Sequence, residues 1–155
     1  LEKYNIEAFE DPFSYEEHGW DSYRQFRQQT NIPLAPHLYD PKKILEAITA
    51  DAADMFNTGG SPSHAAKNAG IADAAGMPVW LQVVGLGLGV SGAFATHVHA
   101  VIKNATIPSD SLHFVRESDL IYGALTPKDG FVQVPTDPGL GIELDMDAVE
   151  KYRVA

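Results

Sequence analysis

Short apolar runs recurring at a regular interval constrain this chain more than any other feature. They begin near residues 6, 32, 54, 78 and 112, and a turn plus an amphipathic stretch separates each from the next. Strands alternating with helices at that period fold as right-handed βαβ units on a parallel sheet. The expected strands are Ile6–Phe9, Ile32–Ala35, Ala53–Asn57, Pro78–Val84 and Leu112–Val115. The fourth is apolar apart from Gln82, as befits a strand covered on both faces. Between them, residues 15–30 carry Trp20, Tyr23, Phe26 and Arg27 on one helical face. Asp40-Pro41 and Ser61-Pro62 each place a capping side chain ahead of a proline at the first helical position. Ile44, Leu45 and Ile48 mark the buried face after the first cap, and Gly76 closes the alanine-rich helix after the second. A further helix is expected from about Val90 to Asn104, a lone strand over Gly130–Val134 and a closing helix over Asp145–Tyr152. Two α/β architectures fit: an open doubly wound sheet, or a stretch of a (β/α)8 barrel, which takes about 250 residues when whole.

Composition removes several classes of function. The chain has 155 residues, 45% of them hydrophobic, enough for one domain with a sizeable core. A net charge of −10 argues against nucleic-acid and anionic-membrane partners, which need a basic stripe. The absence of cysteine excludes disulfides, thiolate zinc sites and thiol nucleophiles. The most apolar stretch, Met77–Ala95, is interrupted by four glycines, Gln82 and Ser91, so no membrane span is expected. Leu1-Glu2-Lys3 lacks the basic head and apolar run of a signal peptide, and the expectation is a soluble, cytoplasmic protein.

Ligands of parallel α/β folds bind at the carboxyl ends of the strands. That rule selects Glu10 and Asp11 after the first strand, His37 after the second, Asn57 after the third and Gln82 on the fourth. Carboxylates leaving a buried strand suit a hard cation such as Mg²⁺, which takes oxygen ligands; the competing role is an N-cap for the following helix. His37 can serve as a base, a hydrogen-bond donor or a metal ligand, or be a satisfied loop residue. His97 and His99 lie two apart on a helix, so they face different ways and form no metal pair. Gly87-Leu88-Gly89-Val90-Ser91-Gly92 has the form of a dinucleotide-binding glycine loop; the alternative is close packing of loop and helix. No G-x-S-x-G elbow is present, which speaks against a serine hydrolase.

Several segments together resemble the enolase superfamily, in its mandelate racemase/muconate lactonizing enzyme group. They are Phe9-Glu10-Asp11-Pro12, Tyr23–Arg27, Asn31–Ala35, Ala52–Asn57 with Gly59-Gly60, and Ile71–Val79. Gly130–Pro135 and Asp137–Asp145 carry the likeness to the end of the chain. The resemblance implies that residues 1–155 form the C-terminal portion of a (β/α)8 TIM-type barrel, about five βα units. A capping domain and the first barrel strands are absent from this chain and would be supplied elsewhere. It further implies Mg²⁺-dependent removal of the proton α to a carboxylate of a small acid, sugar acids included, before dehydration, racemisation or cycloisomerisation. Glu10 then matches a metal ligand, and His37 and Gln82 face the substrate. The third ligand position reads Ala35-Pro36-His37-Leu38, where the family usually carries Asp, Glu or Asn. Imidazole is an unusual partner for Mg²⁺ and suits a softer ion. Gln82 can hydrogen-bond but takes no proton. A homo-oligomer, or a second chain supplying the rest of the barrel, is expected. The alternatives are a family member that binds a carboxylate ligand or partner without turnover, and a dinucleotide-binding α/β domain.

Overall fold

A computed structural model describes residues 2–82, 89–110, 117–123 and 125–154. The chain divides into two compact units, Leu1–Leu81 with Lys103–Pro108, and Gln82–Ile102 with Ser109–Ala155.

The first unit alternates strands and helices in chain order: β1 (Phe9–Glu10), α1 (Tyr15–Arg27), β2 (Leu34–Ala35), α2 (Pro41–Thr49), β3 (Phe56–Thr58), α3 (Pro62–Ala74) and β4 (Val79–Leu81). β1 pairs with β2 and β3 with β4, both in parallel. A parallel bridge between His37 and Asn57 joins the two pairs. It is flanked by Leu38 N–H to Asn57 O at 2.9 Å and Asn57 N–H to Pro36 O at 3.2 Å. The lateral order is therefore β1-β2-β3-β4. Strands succeeding one another without reversal make a barrel wall, whereas a doubly wound sheet turns back at a switch point. The α/β barrel-portion expectation holds.

Local chemistry explains the helices. Asp40 accepts from Lys42 N–H at 2.9 Å ahead of Pro41, and Ser61 caps α3 ahead of Pro62. The expected caps are in place. α1 ends at Arg27 and is broken at Gly19, whose φ of +74° only glycine tolerates easily. Tyr23, Leu34 and Ala52 form a fully buried cluster under Phe9, Phe13, Tyr15, Trp20, Phe26 and Ala50. Phe13 meets Tyr23 and Phe26 edge to face, and Tyr15 stacks on Trp20. Burying Leu34 alone contributes about 2 kcal/mol. Below the strands Arg27 donates to Asp54 and Asp51, while Asp54 Oδ2 accepts Leu34 N–H at 2.8 Å. These bonds tie α1 to the starts of β2 and β3.

The second unit holds α4 (Gly89–Val101) and α5 (Met146–Lys151), the latter capped by Asp145. The closing helix is as expected. The lone strand over Gly130–Val134 is not found. A bridge between Lys128 and Phe131 closes a turn at Asp129-Gly130, both with positive φ. Such a turn pairs only the residues that flank it, and Pro135 removes a donor shortly beyond. The expected fifth strand falls on residues 112–115, outside those described. No helix among the described residues is long and apolar enough to cross a membrane.

Candidate functional site

Three adjacent strands of the first unit end together. Glu10 is the last residue of β1. Asp11 follows with φ of +38°, a left-handed turn off the strand. Its Oδ1 accepts the His37 N–H at 2.9 Å. The His37–Asn57 bridge puts those residues side by side at the ends of β2 and β3. Across the same rim Asn57 Nδ2 donates to Glu10 Oε1 at 2.6 Å, a short charge-assisted bond between residues 47 apart. His37 Nδ1 lies 3.6 Å from the same oxygen.

Glu10, Asp11 and His37 can thus each offer one donor atom, with all three atoms inside 4.8 Å of one another. Glu10 has 47% of its side chain exposed and His37 22%, so the cluster is open to a ligand. Asn57 is 2% exposed. Among the described residues, His37 Nε2 and Asn57 Oδ1 are buried atoms without a hydrogen-bond partner. Buried polar atoms are normally paired, so these two, with Asn68 Oδ1 on α3, stand out in the first unit. Burial pushes the Asp11 carboxyl above its ordinary range, and the His37 N–H pulls the other way. The acids do not cap α1; Ser14 does, accepting from Glu17 N–H at 3.3 Å.

The rim is braced from behind. The Tyr39 ring tilts over His37 at 4.8 Å between centroids. Asn68, fully buried on α3, donates through Nδ2 to Tyr39 O and Thr58 Oγ1, each at 2.9 Å. One amide therefore ties the loop after His37 to the residue after Asn57. Sequence reasoning passed over Asn68. The available signal was a polar residue on the alanine face Ala65, Ala69 and Ala72.

The fold has counterparts among known proteins. The family described as enolase C-terminal domain-like matches residues 1–148. This chain belongs to the enolase superfamily. An N-succinylamino acid racemase of Thermus thermophilus is 29% identical over 97% of the chain and 42% of its own length. A D-galactonate dehydratase family member of a Paenibacillus species is 30% identical over 94% of the chain and 37% of its own. The crystal structure of an enolase from Mycobacterium smegmatis complexed with tartrate superposes with a TM-score of 0.84 and 30% identity, over 94% of the chain and 35% of that structure. The chain spans about two fifths of the length of the curated relatives it matches.

The other expected site residues lie elsewhere. Gln82 comes directly after β4, half-buried, and opens the second unit. In that unit His97 Nε2 meets Leu140 O at 3.2 Å and His99 Nδ1 meets Ser109 Oγ at 3.1 Å, so the two imidazoles serve different neighbours. The glycine loop lies partly outside the described residues. Its described part begins α4, where Gly89 N–H donates to Asp119 Oδ1 at 2.5 Å. A Cβ at Gly89 would collide with the Ile121 side chain. Close packing accounts for that glycine, and a carboxylate occupies the donor that a pyrophosphate would need. The superfamily membership and the sheet order both set the dinucleotide alternative aside.

Proposed function

We propose that the protein carrying this chain removes the proton α to a carboxylate of a small acid, using a divalent cation held at Glu10 and Asp11. Racemisation, dehydration or cycloisomerisation would follow. The convergence of Glu10, Asp11 and His37 at the ends of adjacent parallel strands carries this reading. The racemase and dehydratase names among the relatives, with the tartrate complex, point to hydroxy acids and N-acylated amino acids as the classes to try. When bound, the cation supplies positive charge where negative charge gathers as the proton leaves. Glu10 and Asp11 give it oxygen donors. Asn57 holds the Glu10 carboxylate through Nδ2, so the ligand is oriented before a substrate arrives. His37, beside both acids, belongs to the same face. Gln82 is proposed, on its place after β4, to hydrogen-bond the substrate without exchanging a proton.

The test is hydrogen exchange in D₂O. Sugar acids, tartrate and N-succinyl amino acids are incubated with the protein and Mg²⁺ or Mn²⁺, and the α-proton signal is followed by NMR. Loss of that signal from at least one acid, abolished by Glu10→Gln, supports the proposal. Acids that raise the melting temperature while none exchanges would replace it with ligand binding without turnover.

A further inference from the structure

We infer that His37 is a nitrogen ligand of the cation, so that the site selects a first-row transition ion such as Mn²⁺, Fe²⁺ or Co²⁺ over Mg²⁺. This rests on the proposed cation site and names what that site takes. Ligands of an octahedral ion with bonds of about 2.1 Å stand about 3.0 Å apart when adjacent and about 4.2 Å when opposite. His37 Nδ1 and Glu10 Oε1, 3.6 Å apart, reach the adjacent spacing by closing about half an ångström. All three donor atoms lie within 4.8 Å of one another, and small rotations of the exposed Glu10 and Asp11 side chains bring them to ligand spacing. Asp11 spends Oδ1 on the His37 N–H, which fixes the residue that bears the imidazole and leaves Oδ2 for an ion.

Asn57 is an independent observation. Its amide, 2% exposed, is pressed against Glu10 through Nδ2 while Oδ1 is buried without a partner. A buried amide half-used at the edge of two carboxylates and an imidazole is the polar wall of a ligand site. The donor set then decides the ion. Mg²⁺ demands oxygen and keeps its waters, whereas imidazole raises affinity for transition ions. Two carboxylates and a neutral imidazole balance a dication, which leaves a further positive interaction for an acid only through the ion's open positions. A ligating His37 keeps its ring nitrogen on the ion, so the group that takes the α-proton is another residue of the protein.

Pulsed electron paramagnetic resonance on the Mn²⁺-loaded protein tests this without any substrate. Histidine labelled with ¹⁵N gives a nitrogen coupling to Mn²⁺ in the unsubstituted protein, whatever the folding of the variants. His37→Gln, with melting temperature checked, abolishes the coupling and weakens Co²⁺ at least about tenfold more than Mg²⁺, within the range that disturbing a ligand shell produces. Mn²⁺ that binds, is lost with Glu10→Gln, and shows no nitrogen coupling overturns the inference and leaves the proposed function standing. Coupling that survives His37→Gln also overturns it. No binding of any divalent ion overturns both.

Discussion

Replacing Asn57 by aspartate sets a second carboxylate 2.6 Å from Glu10 Oε1, where an amide now donates. Two unit charges at that distance repel by about 6 kcal/mol at an effective dielectric constant near 20. Keeping one carboxyl of the pair protonated at pH 7 costs less, about 4 kcal/mol, taken from an ordinary carboxylate pKa near 4. The variant takes that route, and its shared proton restores a hydrogen bond across the gap. In chelator its melting temperature falls by about 8–16 °C, at about 2–4 °C per kcal/mol for a chain of this size. The folded state then binds one more proton than the unfolded state. Stability therefore falls as pH rises from about 5 to 7, by about 1.4 kcal/mol per unit. Saturating Mn²⁺ reverses the penalty, since a dication removes the repulsion, and its stabilising effect exceeds that on the unsubstituted protein. Calorimetric melts at pH 5, 6 and 7, with Mn²⁺ and with chelator, read each of these. A variant that melts like the parent in chelator, or that Mn²⁺ does not rescue, refutes the reasoning.

Three further outcomes follow from the first unit. Arg27→Ala removes a guanidinium bound to both Asp54 and Asp51 and lowers stability by about 2 kcal/mol in denaturant melts, after allowing for its partial exposure; Arg27→Lys recovers little, because a single ammonium cannot span both acids. Burial pushes the Tyr23 phenol well above its ordinary range, and the hydroxyl donates to Phe13 O at 2.6 Å. Its contribution is complete below the unfolded pKa of about 10 and is lost as pH rises beyond that, so alkaline melts decline less steeply in Tyr23→Phe, which itself costs about 1 kcal/mol near neutrality. Asn68→Leu takes the amide donor away from Tyr39 O and Thr58 Oγ1, costs about 1–3 kcal/mol, and weakens Mn²⁺ binding in titrations far below the melting temperature.

The alternation of units was legible because caps and prolines are local signals. Asp40-Pro41 and Ser61-Pro62 start helices where their chemistry says they must. Strand extents were less so. The runs over 6–9 and 53–57 begin before β1 and β3; Ala53 and Met55, leading into β3, are buried by packing, which periodicity does not separate from pairing, while Ile6 and Ala8 are only half-buried. The break at Gly19 also escaped, because a glycine inside a helical pattern does not announce its φ. At the site, the strand-end rule found Glu10, Asp11, His37 and Asn57 separately. The Asn57–Glu10 bond was out of reach, for it depends on β1, β2 and β3 lying in chain order, and the sequence left two architectures open. Asn68 was missed for the same reason: its partners come from the loop after β2 and the end of β3.

A cation held on the rim at Glu10 is what the proposed chemistry requires. Titrating Mn²⁺ into the protein and into Glu10→Gln by calorimetry, with melts alongside, tests that most directly. One saturable equivalent in the parent, weakened at least about tenfold in a variant that stays folded, is the predicted result. Equal binding in both, or none in either, would contradict it.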